Sequence, residues 1–363
     1  MAEETSADML YSGNYSNFII DRTDHHRPLF EVLDKIHPCD LGAIISHLVV
    51  GTLGLTFNIF LLYLVIDASP KPMSVYKLLL MNSAITEALA CLFAIITMMR
   101  HVPVPPWSLV YVTYGFCQFF GSTACYEGFM ILLHLYAHSA LSLLMSFFYR
   151  YYVLIKSNIT KKEVLIAIVL VFFPSIVSVI TLLIESDDPA LLRYLILSHF
   201  PEYYVDAGTI SGYTNILRNF TVTAPIVFVV ILVPSTYPIM ITLRKKILNI
   251  VAGARYSPHL SRMHTELLKA LTMSAMIPLL YISSVSTYFL LTFQVIRHPF
   301  YEDFVFANAN LIPAFSPLVS IFFISPYNRR AHQIWQKLRC RKMTSSVTST
   351  SVALSQSNED NRV

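Results

Sequence analysis

Of 363 residues, 55% are apolar and only 13% are charged, about half the charged share of an ordinary soluble domain. With 24 Phe and 21 Tyr, the chain reads as one bundle in lipid and not as one or two soluble domains. A net charge of +4, with no basic run interleaved with aromatics, gives no support for nucleic-acid binding.

Taken in order, residues 1–40 lack the apolar core of a cleaved signal peptide and are expected to form an extracellular segment. Asn14-Tyr15-Ser16 within it is a glycosylation sequon. Crossing a bilayer takes about 20 apolar residues in helix. Seven stretches qualify, at 41–66, 78–99, 119–149, 164–184, 219–243, 270–296 and 304–325. They are continuously apolar and do not alternate, which argues against a barrel. Their only carboxylates are Glu87 and Glu127, and none holds a Lys or Arg. The apolar run 109–118 before the third stretch suits the membrane interface. The predicted fold is therefore all-α, a seven-transmembrane helix bundle over 41–325. A basic amphipathic juxtamembrane segment follows at 326–342, then a Ser/Thr-rich cytosolic tail, 343–363, whose composition predicts disorder.

Orientation follows from the charges. If the loops after the first, third, fifth and seventh spans face the cytosol, they and the tail hold nineteen of the 26 basic residues. Such cytosolic enrichment predicts an outside N-terminus and a cytosolic C-terminus. The sequon at Asn14 is then accessible to modification. Asn158-Ile159-Thr160 falls inside and should stay bare, and Asn219-Phe220-Thr221 lies too close to the membrane.

Seven prolines punctuate the spans: Pro174, Pro225, Pro234, Pro238, Pro278, Pro313 and Pro317. Each removes a backbone hydrogen bond. Membrane helices tolerate proline, so these are either neutral or kinks that open a cavity. Among the five cysteines, Cys91 sits inside the second span as a packing residue, while Cys39, Cys117 and Cys125 lie near the outer face. The loop 185–218 has no cysteine, so a bond tying the top of the third span must reach Cys39 or close locally. The pairing predicted is Cys39 with Cys117 or Cys125. Cys340 follows a basic stretch and is either a palmitoylation site or an ordinary thiol.

Candidates for chemistry are few. His134 and His138 share a helix face, but a metal site needs three or four ligands, which favours packing or hydrogen bonding. Glu87, deep in the second span, is either a cation or proton site or a neutral hydrogen-bonded carboxyl. Glu127 reaches either the cavity or water. No phosphate loop, Ser-His-Asp grouping or cofactor motif is present, and no Lys in the seventh span could hold retinal.

Arg150 closes the third span within Ser146-Phe147-Phe148-Tyr149-Arg150-Tyr151-Tyr152. Seen alone, it is either a charged membrane anchor or a functional group. Cys125 stands 25 residues earlier, about 37 Å along a helix. Further motifs are Ser69-Pro70, Met73-Ser74-Val75-Tyr76-Lys77 before Leu80-Met81-Asn82, Gly115-Phe116-Cys117, and Ile324-Ser325-Pro326-Tyr327-Asn328-Arg329-Arg330. Over residues 40–340 this order of motifs resembles the nematode chemosensory serpentine receptors, most like class delta, with the str class next. The resemblance implies a G-protein-coupled chemoreceptor in the plasma membrane of a sensory cilium, binding an odorant or pheromone-like small molecule. It implies coupling to a heterotrimeric G protein through Arg150, Tyr149 and Tyr151, with arrestin and a kinase acting on the tail. A ligand pocket among the outer halves of spans three, five, six and seven would draw on Glu127, Tyr281, Tyr288 and Asn308. Tyr149 replaces the acid that usually precedes the arginine in other G-protein-coupled receptors, and the seventh span lacks Asn-Pro-x-x-Tyr. Two rivals are a seven-helix ligand-gated cation channel, whose inside N-terminus opposes this charge map, and a lipid-modifying metalloenzyme using His134 and His138.

Overall fold

The computed structural model describes residues 38–337 and 339, apart from 106, 157–158, 183–185, 204–207, 219, 254–267, 271 and 338. Asn14, Asn158, Asn219, Cys340 and the tail 343–363 lie outside the described residues. The membrane helices are α1 (Pro38–Ala68), α2 (Tyr76–Thr97), α3 (Ser122–Ile155) and α4 (Lys161–Leu182). The fifth span is α6 (Phe220–Val227), a π turn (Phe228–Leu232) and α7 (Val233–Gly253); the sixth ends in α8 (Pro278–Thr292); the seventh is α9 (Pro299–Phe323). Six of these spans are long and apolar enough to cross a bilayer by length and composition, and α4 completes a seven-transmembrane bundle. Helix α10, 325–337, follows α9 after a break at Ile324.

Two boundaries shift for local reasons. The second span stops at Thr97 because Met98 takes a left-handed conformation (φ 44°) that turns the chain out of the helix. The third runs on to Ile155, past Arg150, because charge alone does not break a helix; it ends where Lys156 turns extended.

The fold is not wholly helical. Strands β1 (Met99–Val102), β2 (Leu109–Thr113) and β3 (Thr209–Tyr213) form an antiparallel sheet in the order β1-β2-β3. Met99 pairs with Thr113 and Leu109 with Tyr213. The run 109–118, read from sequence as suited to the membrane interface, supplies the central strand over its first half and the start of the turn Phe116–Phe120. Its alternation sorts the two faces. Val110 and Val112 pack under α5 (Pro189–His199) with Leu192 and Ile196, whereas Leu109 and Tyr111 face the bundle core with Phe129 and Phe306. The sheet thus closes one end of the bundle, the end where α1 and α3 begin.

That lid is fixed in three ways. The first is the disulfide between Cys117 and Cys125, only eight residues apart. The expected pairing with Cys39 is therefore incorrect: the turn Phe116–Phe120 folds Cys117 back onto the first turn of α3. The second is Gly115, whose added Cβ would lie 2.1 Å from the Ile96 carbonyl oxygen, so the chain here can pack against the end of α2 only without a side chain. The third is Arg100 on β1, 5% exposed, which reaches Asp40 on α1 at 2.7 Å and Glu302 on α9 at 2.8 Å.

Prolines find long-range compensation. Pro317 has no N–H for the Pro313 carbonyl one helical turn back. Asn58 of α1 donates to that carbonyl at 2.8 Å, and its other donor reaches Gly54 at 2.9 Å. In the π turn, the Val233 N–H bonds five residues back to Phe228. Continued, this register would give Val229 the N–H of residue 234, which is a proline. The Tyr281 hydroxyl of α8 donates to the Val229 carbonyl at 2.7 Å instead.

Candidate functional site

Two cavities lie in series along the bundle axis. The sheet-side cavity, about 90 Å³, is roofed by Leu109, Tyr111 and Tyr213 of the sheet. Its walls come from α3, α6 with the π turn, α8 and α9, including Met130, Ile226, Val285 and Ala309. The second cavity, about 70 Å³, lies toward the opposite end and is lined by residues that include Glu87, Ser139, Ser316, Ser320 and Thr236. Tyr136 and Tyr281 line both and form the partition between them.

Both partition residues are held through their hydroxyls. Tyr136 donates to the amide oxygen of Asn310, whose nitrogen bonds the ring of the buried His47. Tyr281 is tied to the π turn as described. The partition therefore connects α3, α9 and α1 on one side with the fifth and sixth spans on the other.

Sequence-predicted residues fare unequally. Tyr281 and Tyr288 line the sheet-side cavity. Glu127 does not: it lies on the exposed face of α3, because the helix turns Tyr126 and Met130 inward instead. Asn308 is buried but does not line either cavity; it bonds Leu280, Ser283 and Ser284 and so clamps α9 to α8. Glu87 lies in the second cavity, accepting a hydrogen bond from Ser139 at 3.1 Å with Ser316 beside it. His138 lies within 3.3 Å of Asn82 and Ser142, and it stacks on His134, with the Phe172 ring edge against both. Among the described residues, no three His, Cys, Asp or Glu come together in a geometry that could hold a metal ion.

Arg150 overturns one expectation. A membrane anchor would hold its charge in water or among headgroups; Arg150 is 7% exposed, with its guanidinium 4.1 Å from the centre of the Tyr76 ring. Tyr149 stacks on the same ring at 5.9 Å, and the fully buried Tyr327 bonds Ser69 nearby. The physical reason is that a guanidinium sheds water at lower cost than an ammonium and stacks on aromatic faces. Two of its nitrogens, Nε and Nη2, have no hydrogen-bond partner among the described residues. Tyr151, half-buried, sits below Lys246 at 5.8 Å.

Sequence reading missed the Arg100 cluster. Arg100 lies on β1, just past the second span, and its partners are 60 and 202 residues away. Burial disfavours its charge, but Glu302, with Asp40 and Asp303, more than compensates and raises its pKa. Tyr203 covers the guanidinium at 4.6 Å and donates to Glu302 at 2.8 Å. Beside it, His101 is fully buried between Tyr111 and Tyr288, and burial pushes its pKa down to about 3. The one available signal was the β-branched and aromatic run Leu109–Thr113, which marks a strand.

Residues 43–333 match the family model of the serpentine type 7TM GPCR chemoreceptor Srd. Three relatives come from Caenorhabditis elegans. Serpentine receptor class delta-18 is 34% identical, covering 76% of this chain and 83% of the relative. Class delta-19 is 31% identical over 78% and 84%, and class delta-3 is 29% identical over 77% and 83%. The expected likeness to class delta holds along nearly the whole bundle, and the chain belongs to the Srd family of serpentine seven-transmembrane chemoreceptors.

Proposed function

We propose that this receptor binds a small external cue in the sheet-side cavity and activates a heterotrimeric G protein at the opposite end. The sheet end then faces outward, the N-terminus is extracellular and the C-terminus cytosolic, in keeping with the basic residues of the inner loops. The observation that carries the reading is the shared partition. A ligand touching Tyr136 and Tyr281 also touches the wall of the second cavity, which opens toward Tyr76 and the cage around Arg150. A ligand that favours one setting of that wall shifts the population of helix packings.

In this reading Arg150 is held in reserve. Parting of α3 from α2 uncovers it, flanked by Tyr149 and Tyr151, and its donors then engage carbonyls of the G protein. Arg244, Lys245 and Lys246 on α7 border that opening, and the tail hydroxyls serve a kinase and arrestin. A plasma membrane site, in the cilium of a chemosensory neuron, suits such a receptor.

The test is a cue screen with calcium or cyclic-nucleotide readout in a host lacking the receptor, with tags at residues 1 and 363. The first tag should stain unpermeabilised cells and the second should not. Arg150→Ala should reach the surface at wild-type level and lose the response, with partial rescue by Arg150→Lys. An unchanged response at equal surface level overturns the coupling role, and reversed staining overturns the receptor orientation.

A further inference from the structure

The receptor reading leaves open which chemistry the sheet-side cavity selects. Among the described residues, its lining holds no Asp, Glu, Lys, Arg or His; its polar side chains are Ser284 and five tyrosines. Most of these hydroxyls are already engaged. Ser284 donates to the Leu280 carbonyl at 3.1 Å and accepts from Asn308 at 3.1 Å. Tyr136 donates to Asn310, Tyr213 pairs with Tyr126, and Tyr281 donates to Val229.

The aromatic faces are also largely taken. Tyr111 packs on Phe129 at 4.4 Å and on Phe306 at 5.8 Å, and Tyr288 packs on His101 at 4.9 Å. The buried ionisable groups described above serve other sites: Arg100 on β1 is paired with Asp40 and Glu302, and Glu87 lies beyond the partition. What the cavity presents is mainly aliphatic side chain and ring edge, from residues such as Met130, Ile226, Val285 and Ala309, together with the neutral Tyr288 hydroxyl, which has no hydrogen-bond partner among the described residues.

We propose that the sheet-side cavity takes a neutral, predominantly apolar small molecule, recognised by shape and contact and without a charged anchor. This deepens the receptor reading and rests on it only for the site's role in signalling. An ion entering here would give up its hydration and meet no counter-charge, which is costly in an apolar site. An apolar molecule gives up only unfavourable contact with water.

Three probes of nearly one shape test this: tert-butylbenzene, phenyltrimethylammonium and benzenesulfonate. The full chain carrying Ala309→Cys is placed in lipid nanodiscs without a G protein. Labelling of that cysteine by the small neutral reagent methyl methanethiosulfonate is followed against the parent chain. Met130→Cys serves in the same way if Ala309→Cys is not monodisperse. Saturating tert-butylbenzene should slow labelling by at least about fivefold, and the two ions at the same concentration by less than about twofold. Equal protection by either ion overturns the proposal; phenyltrimethylammonium alone would reveal an aromatic cation cage in its place. Absence of protection by tert-butylbenzene overturns it as well. Because labelling needs no signalling, a chain that passes this test yet answers no cue in cells overturns only the receptor reading. A chain that signals but is protected by the ions overturns only the ligand class.

Discussion

The two ends of the bundle are built on different principles. At the sheet end, a disulfide, a buried guanidinium with two carboxylate partners and a three-stranded sheet fix the lid to α1, α3 and α9. At the opposite end, Arg150 rests against a tyrosine ring with no carboxylate partner among the described residues, and the polar lining of the cavity above it is largely serine. Covalent and paired-charge contacts are strong and hard to rearrange; an aromatic cage and scattered hydroxyls can exchange partners at little net cost. The difference teaches that the same bundle can hold a preformed container at one end and a rearrangeable contact at the other. The Tyr136–Tyr281 partition is the only part of the described wall common to both cavities.

The contrast can be broken most severely at Arg100. Arg100→Ala leaves Asp40 and Glu302 buried without their cation, a loss of about 3–5 kcal/mol for a buried pair with one partner removed. Surface expression should fall sharply. Combining Arg100→Met with Asp40→Asn and Glu302→Gln should recover part of it, because no uncompensated charge remains. If Arg100→Ala is expressed and as heat-stable as wild type, the sheet end is not held by this cluster.

Cys117→Ser should come next. Opening a loop of eight residues restores chain entropy to the unfolded state, worth about 2–3 kcal/mol. A lower thermal midpoint in detergent is expected, and a parallel Cys39→Ser variant should leave it nearly unchanged. A loss as large from Cys39→Ser would point back to the pairing that the structure does not show.

Tyr281→Phe sharpens the comparison at the partition. It keeps the ring in both cavities but leaves the Val229 carbonyl without its donor, costing about 1–3 kcal/mol for a buried unsatisfied group. Surface level should be close to wild type, while basal signalling and cue sensitivity shift. Unaltered signalling at equal expression would show that the partition carries no information between the two ends.

The smallest effect is the pH dependence of the lid. His101 is neutral in the fold, with its pKa near 3, whereas in the unfolded chain it takes up a proton near 6.5. The unfolded state therefore binds the extra proton between those values, and the stabilisation present above about pH 6.5 is lost progressively as pH falls toward 3. At pH 5.5 the loss is about 1 kcal/mol. The difference in thermal midpoint between pH 7.5 and 5.5 should shrink in His101→Phe; an identical pH response in the variant would show that His101 does not titrate on unfolding.

The seven apolar stretches and the Arg150 motif were legible because both are local. A span needs only enough consecutive apolar residues, and a motif needs only spacing along the chain. Prolines were equally visible as missing donors, but nothing local says that Asn58 and Tyr281 would supply them from other helices. The same limit hid the Arg100 cluster and misdirected the cysteines. Which charges meet, and whether Cys117 turns toward its near or its far partner, depends on where the sheet folds over the bundle. Arg150 shows the point most plainly. The sequence placed a cation at the end of a helix, but only the approach of α2 with Tyr76 decided that it would be buried against a ring and not solvated. Composition and period determine which segments leave water; the packing of those segments against one another determines the partners that each polar group finds there.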